Sequence, residues 1–205
     1  MKRKTIVIES KEDYTKFIKR IILYKSILYI NTEFQVKGCQ VNDKIQQIIK
    51  GLNIKNRCKR ITYVYDTACS IIDSNTKGLN ICGFKNNKCY IQQKQNNGKC
   101  NGCCRLCKYQ KSNGCPTKNL ACKLFNCSEV KKRYKTIEYK DLAILKFLSL
   151  KNRLIVKSDY FSTREEVLKD LYAYTLTYSI LRIFFRSIRN LISKTKNSNQ
   201  DSINT

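Results

Sequence analysis

The sequence predicts an α+β fold built from three successive parts. Strand-type and helical apolar patterns alternate in residues 1–76, nine of the twelve cysteines gather in residues 77–128, and helical periodicity returns in residues 129–196. We therefore expect a small N-terminal α/β unit, a central cysteine-rich metal-stabilised module, and a C-terminal helical part with one long helix. The polar end, residues 197–205, is expected to be a disordered tail.

The first strand and the first helix are predicted from a short apolar run and a helix cap. The segment "TIVIE" is rich in β-branched residues, which favour a strand. Ser10 is placed to cap a helix over "KEDYTKFIKRIILYK", where apolar residues recur at helical spacing. The next segment, "SILYINTEFQV", alternates enough to predict a second strand, with an extension of the helix as the alternative.

A second helix and a third strand complete the predicted N-terminal unit. Asn42 is a favourable cap for a short helix over "DKIQQIIKGL". The segment "RITYVY" is β-branched and aromatic, and this composition predicts a strand. No catalytic pattern appears in these elements, so we interpret residues 1–76 as a scaffold.

Residues 77–128 differ from the rest of the chain because they contain no Asp or Glu. Their first part, "LNICGFKNNKCYIQQ", predicts a hairpin with Cys82 and Cys89 on its two strands. After Cys89 the segment consists mainly of Gly, Asn, Lys and Cys, with few apolar residues. A segment with so little to bury needs covalent or coordinate cross-links to become ordered.

The C-terminal part opens with a helix predicted over "EYKDLAILKFLSLKNRLIV". Leucines at Leu142, Leu145 and Leu148 lie on one face of this helix. We expect that face to be buried.

A capping box formed by Ser162 and Glu165 predicts the start of the long C-terminal helix. Along it, apolar residues follow a regular spacing of four and three positions. This stripe packs either on the N-terminal unit or, as the alternative, on a second copy of the chain in a homodimer. Its members are Val167, Leu171, Tyr174, Tyr178, Leu181, Phe185, Ile188 and Ile192.

The cysteine spacing is the strongest chemical signal in the sequence. Two C-x2-C pairs stand back to back, Cys100 with Cys103 and Cys104 with Cys107, and a C-x2-C turn lets two thiolates converge on one ion. The chain has no histidine, so a metal must be held mainly by thiolates. Adjacent side chains such as those of Cys103 and Cys104 point apart, which favours two sites or one polynuclear cluster. The candidate ligands are Cys82, Cys89, Cys100, Cys103, Cys104, Cys107, Cys115, Cys122 and Cys127.

Zinc is the metal that this composition favours, in one or two four-cysteine sites without redox chemistry. Two such sites carry about eight thiolate charges against four from the metals, and the lysines and arginines between the cysteines offset the remainder. A [4Fe-4S] cluster also takes four thiolates and is the alternative cofactor. A thiol–disulfide switch is a further alternative, but the sequence lacks the strand-CxxC-helix context of thioredoxin-like proteins.

Residues 98–127 resemble the cysteine-cluster proteins described as zinc- or iron-chelating. The resemblance rests on "CNGCCR" followed by single cysteines in "GCPTKNLACKLFNC". It implies a bound metal cluster and a redox or modification-linked role, although the glycine that usually follows the first cysteine of the core is Asn101 here. Cys100, Cys104 and Cys107 are also similar to the C-x3-C-x2-C motif of radical S-adenosylmethionine enzymes, but the alternating strands and helices of those enzymes do not follow.

Basic residues outside the cysteine segment indicate a nucleic-acid partner, either DNA or RNA. The formal net charge is +26, of which part is expected to be the lysine background of an AT-rich coding sequence. The segment "KKRYK" and a row of arginines at i, i+4 and i+7 on the long helix concentrate this charge. A solvated polar face is the alternative interpretation of both groups. The candidate phosphate contacts are Lys131, Lys132, Arg133, Lys135, Arg182, Arg186 and Arg189.

These features together predict an intracellular, cytoplasmic metal-binding protein that is zinc-stabilised and acts as a basic nucleic-acid-binding or regulatory protein. The alternative is an iron–sulfur protein with an electron-transfer or redox modification role. Dense thiols, without a recognisable secretory signal or membrane span in the sequence, favour the reducing cytoplasm. No catalytic constellation stands out in the sequence, so we assign no catalytic residue.

Overall fold

The computed structural model describes residues 2–77, 79–83, 85, 89–90, 93, 119–160, 162–173 and 176–201. This part of the chain is mostly helical, with one two-stranded parallel sheet near the N-terminus, which confirms the α+β class. The strands are β1 (Lys2–Val7) and β2 (Thr32–Lys37). The α-helices are α1 (Lys11–Tyr24), α2 (Asp43–Asn53), α3 (Arg57–Asn75), α4 (Leu120–Leu124), α5 (Ser128–Arg133), α6 (Leu150–Ser158), α7 (Arg164–Tyr172) and α8 (Leu176–Asp201).

The chain divides into two units, which we describe separately. Unit 1 comprises Met1–Ile71 and Tyr139–Arg153, and unit 2 comprises Ile72–Glu138 and Leu154–Thr205. Unit 1 therefore combines most of the predicted scaffold with a short part of the predicted helical region.

The first three predicted elements of unit 1 are present, but only α1 closely matches the predicted bounds. β1 begins and ends earlier than "TIVIE", and the first half of "SILYINTEFQV" contains a 3-10 helix, Ile27–Tyr29, before β2 begins at Thr32. β1 and β2 pair in parallel, with Lys4 opposite Phe34, and α1 connects them. Ser10 caps α1 as predicted, because its Oγ accepts the Asp13 backbone N–H at 3.1 Å and its own N–H donates to the Asp13 carboxylate at 3.1 Å. Ile21 and Phe34 are buried in the core of this unit.

Helix α2 begins at the cap that the sequence predicts. Asn42 Oδ1 accepts the Ile45 backbone N–H at 3.1 Å. We expect Asn42→Ala to lower the free energy of unfolding by about 1 kcal/mol, because an N–H at the helix start loses its acceptor. Urea denaturation followed by circular dichroism measures this change. Asn42→Asp keeps an acceptor oxygen and is the control; an equal loss in Asn42→Asp would contradict the capping role.

The strand predicted over "RITYVY" is wrong, because these residues lie inside helix α3. The buried side chains of this part of α3 recur at helical spacing: Ile61, Val64, Tyr65 and Ala68. The preference of β-branched and aromatic residues for strands depends strongly on context, and the burial of one helical face overrides it here.

The single helix predicted over residues 138–156 is also wrong. Two 3-10 helices, Tyr139–Asp141 and Ala143–Phe147, precede α6. The predicted face is buried, since Leu142, Leu145 and Leu148 are at most 2% exposed. Their spacing of three matches the three residues per turn of a 3-10 helix, and the N–H groups of Leu145 and Leu148 donate three residues back at 3.0 and 3.1 Å.

The predicted long helix is interrupted, because α7 ends at Tyr172 and α8 begins at Leu176. Of the predicted apolar stripe, Tyr174 lies outside the described residues, and the other members are divided between α7 and α8. The capping box lies one residue later than predicted: Thr163 Oγ1 accepts the Glu166 N–H at 3.3 Å, and the Glu166 carboxylate accepts the Thr163 N–H at 2.8 Å. The Ser162 hydroxyl instead donates to the buried Asp159 carboxylate. Helix α8 also extends into the segment that was predicted to be a disordered tail.

The hairpin predicted over residues 79–93 lies largely outside the described residues. On its second arm, Tyr90 and Gln93 have helical backbone, so the strand predicted there is wrong. The Tyr90 N–H donates to the Cys82 carbonyl at 2.9 Å, which brings the two predicted arms together at this point.

Candidate nucleic-acid interface

Four of the nine predicted metal ligands lie in the part of the chain that the structure describes. Cys82, Cys89, Cys122 and Cys127 are all half-buried and belong to unit 2. The Cys122 N–H donates to the Asn119 side chain at 2.9 Å at the start of α4, and Cys127 is the N-cap residue of α5. Among the described residues, no three Cys, Asp or Glu side chains assemble a metal site. The metal centre stays a prediction, because the other candidate ligands lie outside those residues: Cys100, Cys103, Cys104, Cys107 and Cys115.

The basic segment "KKRYK" makes local contacts in unit 2. Lys131 and Lys132 form exposed ion pairs with nearby glutamates at 3.8 and 3.3 Å. The Arg133 guanidinium lies 4.0 Å from the centre of the Tyr90 ring, and Lys135 is exposed. Exposed ion pairs of this kind are weak and are screened by salt, so they leave the two lysines available to a phosphate.

The arginine row of α8 is directed mainly at carboxylates of the chain itself. Arg182 Nη1 lies 3.2 Å from the Asp170 carboxylate, and Arg186 Nη1 lies 3.5 Å from the Asp159 carboxylate. Arg186 also pairs with Asp170, and its side chain is only 12% exposed. Arg189 is exposed and remains the member of the row that is best placed to contact a phosphate.

These ion pairs belong to a buried polar network in unit 2. Asp159 and Asp170 are 1% and 0% exposed. The Asn119 side chain donates to the backbone carbonyls of Asp159 and Ser162 at 2.7 and 2.9 Å, and Arg186 Nη1 donates to Ser162 Oγ at 2.7 Å. Burial raises the pKa of Asp159 to about 6, against the opposing effects of the Ser162 hydroxyl and the Arg186 guanidinium. The network fixes the polar side of α8 within unit 2.

A basic pocket in unit 1 is the site that sequence patterns did not indicate. It has a volume of about 260 Å³ and is formed by the end of α1, the segment that follows it, the end of α2, the α2–α3 loop and the start of α3. We call it the cation pocket. Its basic side chains are Lys25, Lys55 and Arg60, and its other lining residues are Tyr24, Ser26, Tyr29, Ile30 and Leu52.

Backbone carbonyl groups hold the three basic side chains of the cation pocket in place. Lys25 Nζ donates to the Phe147 carbonyl at 2.6 Å, and Arg60 Nη1 donates to the Ile54 carbonyl at 3.2 Å. Lys55 Nζ donates to a carbonyl of β2. Among the described residues, no carboxylate forms an ion pair with any of the three.

Burial and mutual repulsion oppose the charges of the cation pocket. Burial lowers the pKa of Lys25, and the nearby Arg60 and Arg153 lower it further. Burial and Arg60 also lower the pKa of Lys55, with partial compensation by Glu33. The pKa of Arg60 is lowered by burial and by a neighbouring arginine. Positive charge is therefore concentrated here at the expense of stability, and a bound anion would relieve this repulsion.

The cation pocket also offers a hydroxyl group and an aromatic ring. Ser26 Oγ is buried and has no hydrogen-bond partner among the described residues. Tyr29 is half-buried at the pocket, with Lys4 Nζ 4.9 Å from the centre of its ring. Hydroxyl and cationic donors bind phosphate oxygens. The Tyr29 ring itself packs against Tyr24 and Phe34, with ring centres 5.6 and 5.8 Å apart, and so forms a wall of the pocket.

A larger, open groove in unit 1 is lined mainly by uncharged polar groups of α2 and α3. Its volume is about 750 Å³, and its lining includes Gln46, Gln47, Asn53, Tyr63 and Thr67. The Tyr63 hydroxyl donates to the Gln47 carbonyl at 3.1 Å. Side-chain amides such as these are suited to hydrogen bonds with the edges of nucleic-acid bases.

Two further observations bear on the assignment of function. In the described ranges of the chain, no helix combines the length and the apolar character that crossing a lipid bilayer requires. Comparisons of the chain with protein-family models, with curated proteins and with solved structures find no match.

Proposed function

We propose that the protein binds nucleic acid and that the cation pocket of unit 1 holds a backbone phosphate. The observation that carries the proposal is the convergence of Lys25, Lys55 and Arg60 on one pocket that also contains the buried Ser26 hydroxyl. Phosphate oxygens accept hydrogen bonds from all four of these groups. The negative charge of the phosphate also offsets the repulsion that lowers the pKa values of the three cations.

The size of the cation pocket and the charge of the chain favour nucleic acid over a small phosphorylated ligand. At about 260 Å³ the pocket is below the roughly 300–1,000 Å³ of typical small-molecule sites, so it suits one phosphate group whose remaining molecule lies outside. The net charge of +26 supplies attraction to a polyanion over a longer range. Further phosphate contacts in this proposal are Lys131, Lys132, Arg133, Lys135 and Arg189.

We also propose that residues 77–128 bind zinc through cysteine thiolates, in one or two four-cysteine sites, with a [4Fe-4S] cluster as the alternative. The cysteine spacing, the lack of acidic residues in this segment and the lack of histidine in the chain support this proposal. Coordination by four thiolates would cross-link a segment that has few apolar residues of its own. Thiolate ligands require reduced cysteines, so we place the protein in the cytoplasm.

Lys25→Met and Arg60→Gln test the cation pocket. Each is expected to weaken the binding of a fluorescein-labelled single-stranded oligonucleotide by roughly tenfold, because a charge-assisted hydrogen bond to phosphate is lost. Each is also expected to reduce the slope of log K against log salt concentration by about one. Fluorescence anisotropy at several salt concentrations measures both quantities.

Lys44→Gln is the matched control, because it removes an exposed lysine from α2 in the same unit. We expect it to change the affinity by no more than about twofold, as a charge outside the contact surface contributes little. If Lys44→Gln and Lys25→Met weaken binding equally, only the general charge matters and the cation pocket is not the site. A thermal unfolding curve for each variant separates a loss of binding from a loss of folding.

A further inference from the structure

Helix α8 contacts the rest of unit 2 through its polar side. Ser179 is fully buried, and its hydroxyl donates to the Asp170 backbone carbonyl at 3.1 Å. Further along the helix, Arg182 and Arg186 pair with the buried carboxylates of α7 and of the segment before it. Helices usually bury an apolar face and expose a polar one. Among the described side chains of α8 this order is reversed, since Ser179 is the most buried and the large apolar ones other than Ile183 are exposed.

The opposite side of α8 exposes a continuous apolar surface. At 100° per residue, its six large apolar side chains cover an arc of about 140°, centred on the side of the helix opposite Ser179 and Arg186. A contiguous exposed patch of this kind usually marks an interaction site. We call it the outward face; its members, with their exposed fractions, are Ile180 (52%), Leu181 (49%), Phe184 (57%), Phe185 (61%), Ile188 (37%) and Ile192 (52%).

The charge of α8 is of one sign except at its last residue. Its sequence contains five basic residues, and its single acidic residue is Asp201 at its C-terminal end. The exposed Arg189 lies about 40° beyond Phe185 around the helix, at the edge of the outward face. The surface that covers this face must therefore be apolar in its centre and negatively charged at its margin.

We infer that the outward face of α8 docks on an anionic lipid surface, with the helix lying in the plane of the headgroups. Phe184 and Phe185 would enter the boundary between headgroups and acyl chains, and Arg189 would contact lipid phosphates. The ion pairs of Arg182 and Arg186 would keep the helix attached to unit 2 while its apolar side faces the lipid. This inference does not depend on the cation pocket, because the outward face belongs to unit 2 and the pocket to unit 1. Arg189, at the edge of the outward face, is also named as a phosphate contact in the nucleic-acid proposal.

A second copy of the chain fits the outward face less well than a lipid surface does. A coiled-coil seam is a narrow stripe of alternating four and three spacings, whereas the outward face is a broad arc that suits a plane. The positions that directly follow the seam residues Leu181 and Ile188 are both arginines, Arg182 and Arg189. Two copies packed along this seam would therefore present like charges to each other, and each chain carries a net charge of +26.

The first test measures co-sedimentation of the full chain with vesicles of phosphatidylcholine, with and without phosphatidylglycerol. The wild-type protein is expected to bind the vesicles that contain phosphatidylglycerol. The double variant Phe184→Ser, Phe185→Ser keeps every charge and is expected to bind them about tenfold less tightly, because two aromatic rings no longer leave water. Leu150→Ser is the matched control, since Leu150 is an exposed apolar residue outside α8.

A tryptophan reporter provides a second readout that electrostatic adsorption alone would not change. The chain contains no tryptophan, so F184W creates a single fluorophore on the outward face. Its emission is expected to shift to shorter wavelength with anionic vesicles and to be quenched by brominated acyl chains. L150W is the control and is expected to show neither effect.

The inference is overturned if the double variant binds anionic vesicles as tightly as the wild type, or if F184W is not quenched by brominated lipid. It is also overturned if sedimentation equilibrium shows a wild-type dimer that the double variant dissociates while vesicle binding is unchanged. In that case the outward face binds a second copy of the chain.

Discussion

Arg186→Met is expected to lower the free energy of unfolding by roughly 3–5 kcal/mol at pH 8, the loss typical of a buried ion pair from which one partner is removed. The Arg186 guanidinium pairs with Asp159 and Asp170, which are 1% and 0% exposed. Methionine fills a similar volume but leaves these carboxylates buried with less compensating charge. The Arg186 hydrogen bond to Ser162 Oγ, at 2.7 Å, is lost as well.

The loss in Arg186→Met is expected to be smaller at pH 5 than at pH 8. The pKa of Asp159 is raised by burial from its ordinary 3.8 to about 6, and losing the guanidinium would raise it further. The folded protein therefore binds this proton more tightly than the unfolded chain does. The free energy of unfolding therefore increases as the pH falls from the pKa of Asp159 in the folded protein, about 6, toward its ordinary value of 3.8. Above about pH 6 Asp159 is charged, and this buried charge destabilises the folded protein.

Urea denaturation of the wild type and of Arg186→Met at pH 8 and pH 5 measures this pH dependence. Arg189→Met is the control, because it removes an exposed arginine from the same helix and is expected to change stability by no more than about 0.5 kcal/mol. An equal loss at both pH values would show that the burial of Asp159 does not determine the effect.

Cys104→Ser is expected to release bound metal and to expose residues 77–128 to protease. The serine hydroxyl is a poor replacement for a thiolate, and the binding of structural zinc supplies about 10–16 kcal/mol of folding free energy in zinc-finger peptides. Elemental analysis of protein purified without oxygen, followed by limited proteolysis, measures both effects. A visible absorption spectrum distinguishes zinc, which is colourless, from an iron–sulfur cluster, which is coloured.

Cys58→Ser is the matched control for Cys104→Ser. Cys58 is exposed on α3 in unit 1, away from the cysteine-rich segment in sequence, and its replacement is expected to leave the metal content unchanged. Protein that contains neither zinc nor iron and yet resists protease would contradict the metal proposal. Equal metal contents in wild type and Cys104→Ser would exclude this cysteine as a ligand.

The elements that were predicted correctly have local signals. Ser10 and Asn42 cap α1 and α2 because each residue supplies an acceptor to an N–H three positions later, a relation that depends only on neighbouring residues. The strand predicted over "RITYVY" is wrong because the burial of one face of helix α3 outweighs the preference of these residues for strands. The capping box begins at Thr163 because the Ser162 hydroxyl bonds the buried Asp159 carboxylate instead. Asp159 lies outside the capping-box motif, so the motif alone does not predict this shift.

The cation pocket could not be predicted because folding brings together residues that share no sequence pattern. Lys25 lies 30 positions before Lys55, and Lys55 and Arg60, five positions apart, belong to a loop and to the helix that follows it. Each of the three lies among many other basic residues of the chain. For the arginine row of α8, in contrast, the sequence predicts part of the arrangement. Its spacing correctly placed Arg182 and Arg186 on one face, but periodicity does not tell which face meets carboxylates and which meets solvent.

The parallel pairing of β1 with β2 has a consequence for handling the protein. In the described part of the chain β1 has only β2 as a strand neighbour, so its other edge presents a row of main-chain N–H and C=O groups. The outer edge of β2 is partly occupied, because the Asn53 side chain bonds the Phe34 N–H and carbonyl at 2.8 and 2.9 Å and Lys55 bonds the Thr32 carbonyl. Such rows invite strand addition by neighbouring chains, and repulsion among charged residues such as Lys2, Arg3 and Lys37 counters this association. Concentrated salt screens that repulsion, so buffers chosen to strip nucleic acid from the protein are expected to promote its aggregation.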